Sequence, residues 1–71
     1  MEFSLKGKPH IELNKLLKLL SIAESGGAAN QMISDGHILR NSKIETRKRC
    51  KLIIGDVIAI QDQDVTILIT T

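Results

Sequence analysis

The sequence predicts an α+β domain, two short N-terminal helices packed on a small antiparallel β-sheet. Three observations carry that expectation. Apolar residues between Glu12 and Leu20 recur with helical spacing, a Ser-Gly-Gly turn and a later glycine bracket a second helical stretch, and beyond Gly36 the apolar period shortens from 3.6 to 2. With 71 residues, no repeat and no linker composition, the chain reads as one domain spanning residues 1–71.

The elements follow in order. Glu2 to Lys6 alternates and reads as a short edge strand before the break at Gly7 to Pro9. Leu13, Leu16, Leu17 and Leu20 stand at i, i+3, i+4 and i+7, one buried stripe of a helix with Asn14, Lys15 and Lys18 opposite and Leu19 at the margin. Ser25 is the preferred N-cap of a second helix, because its hydroxyl can accept from an amide two or three residues on. A capping box from Ser21 to Glu24 is the alternative, but it would put two glycines in a helix interior. Ala28, Ala29, Met32 and Ile33 then face inward, and Gly36 ends the helix. His37–Arg40, Lys43–Thr46, Val57–Gln61 and Val65–Thr70 read as strands rich in Ile and Val. Asn41-Ser42, Gly55-Asp56 and Asp62-Gln63-Asp64 mark the turns between them.

Leu, Ile, Val and Phe number 23, about a third of the chain and well above the roughly 20% below which chains stay disordered. A small core is expected. One cysteine, Cys50, forms no internal disulfide, which suits a reducing, cytoplasmic setting. No apolar run approaches the roughly 20 residues of a membrane span, and Met1 to Gly7 lacks the pattern of a signal peptide. Catalysis has no candidate, since Ser and His occur without a nucleophile–base–orienter set. His10, His37 and Cys50 lack ligand spacing, so no metal and no cofactor is expected.

Charge is the informative property. Net charge is only +2, yet residues 40–51 hold six basic side chains against Glu45 alone, a local +5 over a remainder of −3. Such asymmetry points to an anionic partner met from one side. If Thr46 to Lys51 is extended, Arg47, Arg49 and Lys51 share one face, while Lys48 and Cys50 share the other with Ile44 and Leu52. Phosphates would compensate the row of cations; the alternative is a solvated edge strand charged against aggregation. Gly26 and Gly27 could let a phosphate approach free helix amides, or could simply form the turn between two helices. Lys15 and Lys18 lie on the outer face of the first helix. Phe3 is the single aromatic, so a stacking platform for single strands is missing and structured or double-stranded RNA is favoured.

Ile11-Glu12-Leu13, Leu16-Leu17-Lys18, Glu24-Ser25-Gly26-Gly27, Ala29, Ile33, Gly36 and Asn41 form a recognisable series. Glu45-Thr46-Arg47-Lys48-Arg49 and Gly55-Asp56 continue it. Over roughly residues 3–61 the chain resembles the RNA-binding domain first recognised in small-subunit ribosomal protein four, and within it the small stand-alone bacterial YbcJ-like proteins. The resemblance implies an αL motif, two helices and a β hairpin forming an RNA-binding face, with Lys18, Arg47, Lys48 and Arg49 at the family's basic positions. Gly26 stands where many members carry Arg, and Asn30 where close relatives often have Lys, which removes part of the usual phosphate surface.

The expectation is a non-catalytic protein contacting the phosphate backbone of structured RNA. Its candidate RNA-binding residues are Lys15, Lys18, Ser25, Gly26, Gly27, Asn41, Lys43, Arg47, Lys48, Arg49 and Lys51. The alternative is a protein-interaction module docking on a ribosomal or RNA-processing partner through the edge of an exposed strand, Val65 to Ile69. An adaptor for anionic membranes would need an amphipathic basic helix, and the sequence has none.

Overall fold

The computed structural model describes residues 1–71. Chain order is β1 (Glu2–Ser4), β2 (Ile11–Glu12), α1 (Leu13–Leu19), α2 (Gly26–Ser34), β3 (Ile38–Arg40), β4 (Lys43–Ile44), β5 (Lys51–Leu52), β6 (Val57–Ile60) and β7 (Val65–Thr70). Neither helix is long and apolar enough to cross a membrane.

Both helices form where the apolar stripe and its punctuation put them. Leu13, Leu16 and Leu17 are fully buried, while Leu19 is 66% exposed. Ser21 takes a positive φ of 58°, so the chain leaves the helical path there and Ser21 caps nothing. Ser25 is the N-cap of α2, its Oγ accepting from the Ala28 amide at 3.1 Å. At the other end Gly36 has φ +80°, its amide donates to Ile33 and the amide of His37 to Met32. That pair of bonds satisfies the carbonyls a helix end leaves open.

One face of a five-stranded sheet, in the order β1-β7-β6-β3-β4, carries Ile38, Ile58, Ile60, Ile67 and Ile69 onto the helices. Pairing from β7 through β6 and β3 to β4 is antiparallel, as expected. The expectation of a wholly antiparallel sheet is corrected at β1, which runs parallel to β7 in the register Glu2↔Leu68 to Ser4↔Thr70. Parallel neighbours need a long crossover, and the remainder of the chain supplies it. A second correction follows: Val65–Thr70 lies between β1 and β6 and offers no free edge.

The basic stretch departs most from expectation. Only Lys51–Leu52 is strand, paired antiparallel with Ile11–Glu12 in a separate two-stranded sheet. Residues 47–50 make a turn, with the Cys50 amide donating to the Arg47 carbonyl at 3.2 Å. The alternating-face reading of Thr46 to Lys51 therefore does not apply. Cys50 is buried as expected, but Ile44 is 61% exposed.

Candidate nucleic-acid interface

The basic turn hangs on buried acids. Glu45 is 9% exposed and accepts from Arg47 three times: from the backbone amide and Nε through Oε2 at 3.1 and 3.0 Å, and from Nη2 through Oε1 at 3.0 Å. The Cys50 thiol donates to the same Oε1 at 3.4 Å. The Arg47 hydrogen bonds hold the Glu45 carboxyl down to about 2 against the opposing effect of burial. Burial, with the Glu45 contact second, pushes the Cys50 thiol up. Cys50 is a wedge rather than a nucleophile.

A second anchor joins the β3–β4 hairpin to the β5–β6 connection. Asp56, 6% exposed, accepts from Arg40 Nε and Nη2, from Asn41 Nδ2 at 3.0 Å and from the Ile53 amide at 2.9 Å. Burial disfavours its charge, but these donors outweigh it and its pKa lies below the ordinary value. Arg40 reaches onward to the Lys51 carbonyl at 3.3 Å and the Cys50 Sγ at 3.1 Å. An Asp56–Arg40–Cys50–Glu45–Arg47 network thus sets the course of residues 45–51.

The turn is also fastened to α1. That helix has no side-chain N-cap; its Leu13 and Asn14 amides donate instead to the carbonyls of Cys50 and Lys48 at 2.9 and 3.1 Å. Lys48 is therefore held against the start of the helix whose outer face carries Lys15 and Lys18. Asn14 Nδ2 donates to Asn30 Oδ1 at 3.3 Å, which ties α2 into the same corner. Asn30 occupies a half-buried position one side chain away from the basic turn.

The candidate residues divide on this geometry. Arg47, Arg49 and Lys51 line one open cleft of about 410 Å³ together with Arg40 and Cys50. Lys43 sits opposite Arg40 in the β3–β4 register. Lys18, Lys43, Lys48, Arg49 and Lys51 are exposed and have no acidic partner, whereas Lys15 pairs with Glu12 at 3.3 Å. Asn41 is structural: its side chain bridges Asp56 and the Val57 amide. Ser25 Oγ is occupied as a cap, and Gly26 has open space where a side chain would stand. The Ser25–Gly27 turn belongs to the Lys18 end of α1 rather than to the cleft, since residues 20–25 alone connect the two helices.

Sequence reasoning counted Arg40 among the cations and missed that it is an anchor. It also gave Glu45 and Asp56 no part in anchoring the basic turn. A single acid inside a run of cations, and an acid directly after a turn glycine, were the available signals.

A small α+β fold with a network-braced basic turn docked on a two-helix motif defines the class. The S4 domain model matches residues 3–68, and the chain belongs to the S4 domain family. It is 39% identical over 66 residues, 93% of this chain and 94% of the relative, to "Putative RNA-binding protein YbcJ" of Escherichia coli (strain K12). It is 37% identical over 51 residues, 72% of each chain, to "Probable ribosome maturation protein RlbA" of Bacillus subtilis (strain 168). The solution structure of E. coli YbcJ, described as having an αL motif involved in RNA-binding, superposes with TM-score 0.72 at 36% identity. The match covers 99% of this chain and 86% of that one.

Proposed function

We propose that this protein is a non-catalytic RNA-binding protein that holds the phosphate backbone of structured RNA across the basic turn and the outer face of α1. The cleft lined by Arg47, Arg49 and Lys51 carries the reading, because Glu45 and Asp56 behind it are buried and already engaged, and Glu12, opposite Lys51, is paired with Lys15. Exposed cations without partners are poised to exchange counterions for phosphates. The names of YbcJ and RlbA, one RNA-binding and one tied to ribosome maturation, support the same direction. The lack of aromatic platforms favours duplex or hairpin RNA over a free single strand.

The test is fluorescence anisotropy of a labelled hairpin RNA titrated across salt concentrations. About four neutralised phosphates give a log–log slope of roughly −3 to −4. A Lys48→Glu, Arg49→Glu, Lys51→Glu variant, folded by circular dichroism, should lose this binding; a variant that binds as well as the parent would overturn the proposal. These residues are chosen over Arg47 because none of them supports the Glu45 network.

A further inference from the structure

A second concave surface lies between β1 with its following turn and the side of α1, across the β2–β5 pair from the basic cleft. It is a groove of about 770 Å³. Phe3, Ile11, Leu19 and Leu20 give it an apolar lining, and Leu19 is the one α1 leucine turned out to solvent, at 66% exposure. Lys6, Lys8 and Lys15 stand among the lining residues with Glu12 as the only acid, and Glu12 is already paired with Lys15. Lys6 and Lys8 are left unmatched. Their turn is built rather than loose: Lys6 and Gly7 take positive φ of 52° and 82°, and the Lys8 amide donates to the Leu5 carbonyl at 3.1 Å.

One wall of this groove is an open sheet edge. β1 has a neighbour on one side only, β7. The Leu5 amide donates to Thr70, so the amides of Phe3 and Leu5 face β7 while those of Glu2 and Ser4 face outward. An unpaired edge beside a groove is the geometry by which sheets accept an added strand, main chain on the edge and alternate side chains in the pocket.

We propose that this groove docks an extended acidic segment of a partner protein, with aliphatic or aromatic side chains set into the apolar lining and carboxylates on Lys6 and Lys8. Charge complementarity selects the acid, and the apolar floor selects protein over RNA. Nucleotides have no aliphatic anchor to bury there, and the groove holds no arginine for a bidentate phosphate contact. The proposal shares Lys15 and the exposed side of α1 with the RNA reading but rests on Lys6, Lys8 and the β1 edge, which that reading does not use.

The experiment pans a random peptide display library on the protein and counter-selects on two variants, Leu19→Glu and Lys6→Glu with Lys8→Glu. All three positions are exposed, and circular dichroism checks that each variant is folded before it is used. Peptides enriched on the parent should combine Asp or Glu with Leu, Ile or Phe. A synthetic peptide of the enriched sequence should lose about tenfold or more in affinity for each variant. In NMR titration it should move the amide signals of Glu2, Ser4, Lys6 and Leu19. Enrichment of basic or neutral peptides, or equal binding to the variants, would overturn it.

Discussion

Arg40 donates two hydrogen bonds to a single oxygen of Asp56, from Nε at 3.2 Å and Nη2 at 2.9 Å. That pair commits one cation of the basic cleft to the fold and makes it the brace for the others, since Arg40 also reaches Lys51 and Cys50. Side-chain exposures of 23% and 8% mean that neither charge is freely hydrated once its partner leaves. Arg40→Ala should therefore destabilise the fold by about 2–4 kcal/mol, mostly through the stranded carboxylate. Arg40→Lys should recover only part, because one ammonium cannot serve Asp56, the Lys51 carbonyl and Cys50 together. Urea denaturation measures both, and an unchanged midpoint for Arg40→Ala would contradict the role.

The Glu45 carboxyl gives the stability a defined acid limb. Its folded pKa is about 2 against an ordinary 4.5, chiefly from the Arg47 hydrogen bonds. A carboxylate with a depressed folded pKa contributes stability that is complete above its unfolded value and lost as pH falls through the folded one. Asp56 is shifted the same way. The melting temperature should hold steady down to about pH 5 and fall between there and pH 2. Glu45→Gln should flatten that limb while lowering stability at neutral pH, because the amide no longer offers Arg47 two charged acceptors. Melting curves across this range check it, and an acid limb as steep in Glu45→Gln as in the parent would assign the effect elsewhere.

Binding data should separate the free cations from the paired one. Replacing Arg49 or Lys51 by Ala should flatten the log–log salt slope for hairpin RNA by about 1 each, as loss of a phosphate contact does. Lys15→Ala should leave the slope nearly unchanged, since Lys15 is committed to Glu12 at 3.3 Å. None of the three should move the melting temperature. A Lys15 effect as large as that of Arg49 would mean that the ion pair opens on RNA.

Local rules were legible in the sequence where they decide local structure. Ser25 caps α2, Gly36 ends it, and Leu13, Leu16 and Leu17 of the leucine stripe are buried, with Leu20 half-buried at its end. What failed was long-range. Nothing near Glu2–Ser4 says that it will lie parallel to a strand from the far end of the chain. For the run Thr46–Lys51 alternation is the available template, and it gives an extended strand. Its real shape comes from Glu45 folding Arg47 back and from α1 amides binding the Lys48 and Cys50 carbonyls. The α1 amides are distant in sequence, and Glu45, only two residues from Arg47, acts through a side-chain bond that periodicity does not read. The basic patch itself was legible because charge counts survive any folding of the loop, but the split between structural and free cations was not.

The β3–β4 turn offers a stabilising substitution that leaves the basic cleft intact. Asn41 and Ser42 both take positive φ, 52° and 72°, the pattern of the turns that match strand twist in two-residue hairpins. Asn41 suits its position twice over, tolerating the left-handed region and bridging Asp56 and Val57 through its amide. Ser42 makes no side-chain hydrogen bond, is exposed, and bears the steric cost of a Cβ in that region, about 1–2 kcal/mol. Glycine removes that cost, while its greater freedom in the unfolded chain returns roughly 0.5–1 kcal/mol of it. Ser42→Gly should thus stabilise by about 0.5–1 kcal/mol. Asn41→Gly, with the same backbone freedom, should destabilise because it breaks both bridges. Opposite shifts of the urea midpoint for these neighbouring positions are the expected result; a Ser42→Gly variant less stable than the parent would show that the hydroxyl or the unfolded-state entropy dominates. The salt slope for RNA should be the same in Ser42→Gly and parent, since no charge has moved.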